Sequence, residues 1–284
     1  MSDLNIAVLM WYDEALGKRF ADASYSINKL YCDKHGYDLI HSNKLSGKDF
    51  RNEFPWEKVP MILNYIGPHT KYDYVIWIDA DAHFYVDRGP ITDVIDMYKD
   101  RDIILSQDLN ISAQFRHWVC NVQYPNGVLP PQWSVPRVQT PDNLEHEINT
   151  GIMIIKNTQN MLDIVNWWLQ RGIELPWEQS LLSAWDQGVL RNMWLDEEEL
   201  TNLPGGRQVR GIPLPGHMQQ TPLPKNRLRD HGVVLPYGIL QHFDLSTDAD
   251  MSPYVRHFCG QGKDCCTDGM LEYLEKISAI KTDY

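Results

Sequence analysis

Apolar and polar positions along this chain change period several times. Ile6–Tyr12 is a continuous apolar run of strand length, and Glu14–Lys34 then carries apolar residues at helical spacing through Phe20, Ala23, Ile27, Leu30 and Tyr31. Gly36 stops that helix, and Tyr37–His41 reads as a second strand. Trp56–Tyr65 has the pattern of a short helix. Tyr74–Asp79 is a strongly apolar strand running into an acidic tip, and Asp102–Gln107 is another strand. Asn149–Lys156 returns to strand character, followed by helices near Met161–Arg171 and Gln179–Met193. Strands alternating with helices predict an α/β fold. Its sheet is expected to be mostly parallel and covered by helices on both faces, with ligand-binding loops at the strands' carboxyl ends. Residues 110–146 break the pattern: Pro125, Gly127, Pro130, Pro131, Pro136 and Pro141 interleave with Trp118, Tyr124 and Trp133. A long Pro- and aromatic-rich segment inside a compact domain reads as a functional loop. A second Pro- and Gly-rich stretch runs from Pro204 to about His242.

Composition narrows the function. The 284 residues carry 26 Lys+Arg against 38 Asp+Glu, a formal net charge of −12. An acidic excess argues against a general nucleic-acid binder. It leaves room for a phosphate-bearing ligand if a metal ion stands between ligand and protein. Length suggests one large domain or two closely packed ones. No apolar run reaches the roughly 18–20 residues of a membrane span. Five irregularly spaced cysteines, an odd number, do not make a disulfide framework, so a cytoplasmic setting is expected.

Four short motifs could carry chemistry. Asp79-Ala80-Asp81 follows the apolar strand Tyr74–Asp79 and holds two carboxylates about 6–7 Å apart in Cα terms. Two anions so close at a strand tip are unfavourable unless a cation joins them, and oxygen ligands suit Mg²⁺ or Mn²⁺ bound to a diphosphate. The plainer reading is a turn with two exposed acids. Asn149-Thr150-Gly151 enters a buried strand: the Asn149 amide could bond sugar hydroxyls, and Gly151 would let backbone or ligand approach closely. Asp186-Gln187, after Trp185, offers a carboxylate, an amide and an indole suited to a sugar. Alternatively, Asp186 caps a helix. In the stretch His257-Phe258-Cys259-Gly260-Gln261-Gly262-Lys263, the imidazole could reach a metal, and Gly260 and Lys263 could meet phosphate oxygens.

These stretches, in this order, resemble metal-dependent nucleotide-sugar glycosyltransferases of the GT-A fold, and in particular glycosyltransferase family 34. Further matching stretches are Lys29–Cys32 with His35-Gly36-Tyr37, and Pro55-Trp56-Glu57-Lys58. The resemblance implies one GT-A domain over residues 1–284, with a nucleotide-sugar-binding half at 1–108 and an acceptor-binding half at 109–284. It implies Asp79, Asp81 and His257 as ligands of Mn²⁺ or Mg²⁺, and Asp186 and Gln187 beside the donor sugar's reacting face. Lys58, Ala80, Asn149, Thr150, Gly151 and Gly260 fall with the donor. Lys263 matches the spacing of the glycogenin-type family better. Trp11 and Tyr12 follow the first strand, where GT-A enzymes hold the nucleotide base.

The implied partners are a nucleotide-sugar donor, UDP-linked before GDP-linked, and a glycan acceptor. The implied reaction moves xylose or galactose with retention. An inverting reaction with Asp186 as general base, a GDP-mannose-using mannosyltransferase and a nucleotidyltransferase remain alternatives. Familiar members carry a membrane anchor and stem, and this sequence is expected to have neither.

Overall fold

The computed structural model describes residues 4–16, 20–48, 54–107, 148–174, 185–194, 228–235, 238–243, 253–258 and 263–281. In chain order the first elements are β1 (Ile6–Trp11), α1 (Glu14–Leu16), α2 (Asp22–His35), β2 (Asp38–Ser42), a 3₁₀ turn (Phe54–Glu57) and α3 (Lys58–Leu63). Then come β3 (Tyr74–Ile78), β4 (Ala82–Phe84), α4 (Thr92–Met97), β5 (Ile103–Gln107) and β6 (Ile148–Lys156). The rest are α5 (Gln159–Glu174), α6 (Trp185–Trp194), α7 (Leu228–His231), β7 (Gly232–Leu235), β8 (Gln241–Phe243), β9 (Val255–His257) and α8 (Lys263–Lys281). The Pro- and aromatic-rich segment at 110–146 and the start of the expected helix at 179–184 lie outside the described residues. So does most of the second Pro-rich stretch.

The central sheet has the order β2-β1-β3-β6-β5-β7. β2, β1 and β3 pair in parallel, and so do β5 and β7. β6 runs against both of its neighbours, pairing Ile78 with Ile152 on β3 and Ile103 with Ile155 on β5. Every residue of β1 and β3 is buried, as expected of strands covered on both faces. Their side chains alternate between two cores. Ile6, Val8, Met10, Ile76 and Ile78 pack with α2, α4 and α8, while Ala7, Leu9, Val75 and Trp77 pack with α3, α5 and α6. The expected mostly parallel sheet, flanked by helices, is therefore present. It draws strands from both the 1–108 and the 109–284 stretch.

Boundaries differ from the sequence reading where local chemistry intervenes. The helix expected from Glu14 is a single turn, Glu14–Leu16, in which Asp13 Oδ1 accepts from Leu16 N–H at 2.8 Å. The long helix proper begins at Asp22. It ends where Gly36 takes φ 75°, with the Tyr37 N–H closing on Cys32 O at 2.9 Å. The expected helix at Trp56–Tyr65 divides into the 3₁₀ turn and α3. Pro60 sits within the first turn of α3, where its missing N–H has no intrahelical partner to lose.

A second sheet, β4-β9-β8, was not legible from periodicity because its strands have only three residues each. It pairs Ala82 with His257 and Phe84 with Val255. The buried side chains of Ser24 and Asn28 on α2 hold β4 in place. Ser24 Oγ and Asn28 Nδ2 donate to Ala82 O at 2.6 and 3.1 Å, and Phe84 N–H donates to Asn28 Oδ1 at 2.9 Å. A buried backbone donor left without a partner costs about 1–3 kcal/mol. Asn28→Ala should therefore destabilise the protein by about 2–3 kcal/mol, read from urea unfolding, through the loss of the Phe84 and Ala82 bonds.

Candidate active site

The reversal of β6 brings its first residues to the carboxyl end of β3. The Asp79 N–H donates to Gly151 O at 2.8 Å, extending the ladder one residue past Ile78. Asp79-Ala80-Asp81 then forms a turn closed by Ala82 N–H to Asp79 O at 3.0 Å. The two carboxylates converge through this turn rather than through strand alternation, and both are partly exposed.

His257, at the end of β9, completes the group. The Phe258 N–H donates to Asp81 O at 2.9 Å, so the strand next to β4 delivers the imidazole to the same turn. His257 Nε2 lies 3.2 Å from Asp81 Oδ1 and 3.9 Å from Asp79 Oδ2. One ligand atom from each of the three residues falls within 4.8 Å of the others. Burial pushes the Asp81 carboxyl up, but the adjacent His257 outweighs it and holds the group below the usual carboxylate range. Two carboxylate oxygens and one imidazole nitrogen, open to solvent on the carboxylate side, are a donor set that fits a divalent cation such as Mn²⁺ or Mg²⁺.

Gly151 makes this approach possible. A Cβ built there would stand 2.1 Å from His257 Cε1 and 2.6 Å from Nδ1. The close approach anticipated at Gly151 is thus made by the imidazole.

Behind the carboxylates lies a buried cation. Lys58, the first residue of α3, is 5 % exposed. Its Nζ is 3.2 Å from Asp79 Oδ1, 3.0 Å from Asp186 Oδ2 and 3.3 Å from both Thr150 O and Thr150 Oγ1. It also lies over the Trp77 ring. Burial pulls the Lys58 ammonium down, but Asp186 and Asp79 outweigh it and hold it above its ordinary value. Asp186 is 3 % exposed and also accepts from Thr150 Oγ1 at 3.0 Å. Burial keeps its carboxyl above the usual range despite Lys58, with Asp79 adding to the rise. In the first turn of α6 it serves Lys58 and Thr150 rather than capping the helix. Gln187 Oε1 accepts from the Thr150 N–H at 3.4 Å.

Residues 5–202 match the sequence profile of the galactosyl transferase GMA12/MNN10 family, glycosyltransferase family 34. The chain belongs to this family. Among its relatives, galactomannan galactosyltransferase 1 of Cyamopsis tetragonoloba is 24% identical over 173 residues, covering 57% of this chain and 32% of that protein. Probable glycosyltransferase 2 of Oryza sativa subsp. indica is 22% identical over 151 residues, covering 51% of this chain and 24% of that protein. The chain thus spans a third or less of the length of these relatives. A solved glycosyltransferase involved in glycosylation of the major capsid of PBCV-1 superposes with a TM-score of 0.57 at 14% identity, covering 94% of this chain and 99% of that one. This likeness establishes the GT-A fold of the family 34 chain. Among its described residues, no helix is long and apolar enough to cross a membrane.

The remaining family-derived positions are placed unevenly. Ala80 sits in the turn between the two carboxylates. Asn149 is buried, and its Oδ1 accepts from the Gly151 N–H at 2.8 Å, so it shapes the entry to β6. Trp11 ends β1, which pairs in parallel with β3, and Tyr12 follows it. Trp11 Nε1 donates to Lys44 O, and Tyr12 stacks on His41 with ring centroids 3.9 Å apart while its hydroxyl meets Asp22. Gly260 and the side chains of Trp185 and Lys263 lie outside what is described.

The sequence reading missed three supporting groups. Trp77 Nε1 donates to Asp79 Oδ1 at 2.6 Å, Trp168 Nε1 donates to Asp186 O at 3.0 Å, and Gln241 meets His257. Trp77 was the accessible one, since its place two residues before Asp79 puts it on the same strand face.

Two outcomes follow from this packing. Gly151→Ala should push the His257 ring aside, costing about 1–3 kcal/mol of stability and at least tenfold in Mn²⁺ affinity, read by thermal melting and titration. Lys58→Met should destabilise the fold by about 3–5 kcal/mol near neutral pH, because it leaves a buried charge uncompensated. The native Asp186 carboxyl already binds its proton more tightly than an unfolded one, and losing Lys58 tightens it further. Lowering pH therefore neutralises Asp186 in the folded variant before it would in the unfolded chain, and the penalty should shrink as pH falls in urea unfolding.

Proposed function

We propose that this chain transfers a sugar, xylose or galactose, from a UDP-sugar to a glycan hydroxyl, with Mn²⁺ or Mg²⁺ at Asp79, Asp81 and His257. The observation that carries this reading is the convergence of those three residues beside the buried Lys58–Asp186–Thr150 cluster, at the carboxyl end of β3. The named activities of galactomannan galactosyltransferase 1 and of a further relative, xyloglucan 6-xylosyltransferase 4 of Arabidopsis thaliana, support the choice of sugar. A cation bound there would supply positive charge against the diphosphate leaving group. Lys58 holds Asp79 and Asp186 at fixed spacing, so the charges facing the donor are arranged before it binds. Gln187 and Asp186 sit beside the donor sugar, and the carboxyl end of β1, with Trp11 and Tyr12, receives the base. A sheet built from both halves of the chain supports a single domain over residues 1–284.

Retention is the outcome that fits this arrangement. The bond from the anomeric carbon to the diphosphate breaks, and the acceptor oxygen bonds that carbon on the same face. The hydroxyl proton passes to the departing diphosphate oxygen. Asp186, buried and bonded to Lys58 and Thr150, is suited to stabilising positive charge rather than to taking a proton from an acceptor on the opposite face.

The decisive experiment is metal-dependent nucleotide release from UDP-xylose, UDP-galactose and GDP-mannose, with Asp81→Asn as control. The expected result is UDP released from one donor in Mn²⁺ and lost at least a hundredfold in Asp81→Asn or in excess chelator. Full activity under either condition would remove the metal from the reading, and pyrophosphate as product would make the chain a nucleotidyltransferase.

A further inference from the structure

The imidazole of His257 offers a metal only one lone pair, and the proton on the other ring nitrogen decides which. Gln241 is fully buried on β8, which pairs in parallel with β9. In that register Gln241 stands beside Val255, one diagonal step from His257 on the same face. Its Oε1 lies 3.0 Å from His257 Nδ1. A carboxamide oxygen can only accept, so Nδ1 must carry the proton and donate it. That leaves Nε2, which faces Asp81 and Asp79 at 3.2 and 3.9 Å, as the one ring nitrogen able to give up its proton and lend a lone pair to a cation between those carboxylates.

The other half of the amide sharpens the point. Gln241 Nε2 is buried and has no hydrogen-bond partner among the described residues. A leucine would fill similar volume without burying an unpaired donor. The amide therefore weakens packing at its nitrogen end while its oxygen end orients a ring.

We propose that Gln241 is a positioning residue for the metal centre: by accepting the Nδ1 proton of His257 it presents Nε2 as the ligand atom beside Asp79 and Asp81. This role rests on the metal-centred reading above. Groups placed behind a ligating histidine in this way typically change metal affinity 10–100-fold when removed.

The test compares Mn²⁺ binding by the full chain, Gln241→Leu, Gln241→Glu and Asp81→Asn, measured by electron paramagnetic resonance, with metal-free melting of each. Gln241→Leu should lose about 10–100-fold in Mn²⁺ affinity while melting, metal-free, no lower than the parent. Gln241→Glu keeps an acceptor at Nδ1 and should hold affinity within about threefold. In the Mg²⁺-loaded parent, nitrogen-15 spectra of His257 should show a protonated Nδ1 and an unprotonated Nε2. Parent-like affinity in Gln241→Leu, an equal loss in Gln241→Glu, or a protonated Nε2 would overturn the role of Gln241. In those cases the metal site stands so long as Asp81→Asn abolishes binding. No Mn²⁺ binding by the parent chain would overturn both readings together.

Discussion

The pairing of β6 against β3 is the constraint on which the rest of the site depends. Were β6 parallel to its neighbours, Asn149-Thr150-Gly151 would lie at the opposite edge of the sheet from Asp79. Reversed, with Ile78 opposite Ile152 and the Asp79 N–H on Gly151 O, it sets two polar strand ends side by side. The register also leaves room for His257, whose ring occupies the space that a side chain at position 151 would fill.

That register concentrates charge where charge is costly. Asp79 and Asp186 both reach Lys58, and the buried ammonium is compensated by two carboxylates and by Thr150. An ion cluster of this kind contributes little net stability, since desolvation offsets most of the attraction. Its consequence is geometric: Asp79 is held by Lys58 and Trp77 through Oδ1, which leaves Oδ2 toward His257. The carboxylate is thereby oriented from behind, as the imidazole is by Gln241. A site prepared in this manner meets a ligand without first reorganising its own charges.

Support for the Asp79–Asp81 turn comes equally from outside the main sheet. β4 is only three residues long, yet it is fixed by Asn28 and Ser24 of α2 on one side and by β9 on the other. Tyr273 on α8 stacks on His83 and accepts from the Val86 N–H at 2.8 Å. The loop carrying Asp81 is thus held by elements from both ends of the chain.

Periodicity alone marked β1, β3, β5, β6, α2 and α5, because long apolar runs and helical spacing reflect burial that any fold of this chain must satisfy. Asp79-Ala80-Asp81 stood out because paired carboxylates after a buried strand are chemically unusual. Family resemblance carried the assignment of His257 and Asp186. Tertiary structure alone decided the direction of β6, the small second sheet, the burial of Lys58 between Asp79 and Asp186, and the pairing of Gln241 with His257. Strand direction leaves no mark on an apolar run, since both directions bury the same side chains. A lysine or glutamine reads as surface until partners distant in sequence, 128 residues away for Asp186 and Lys58, are brought within hydrogen-bond reach.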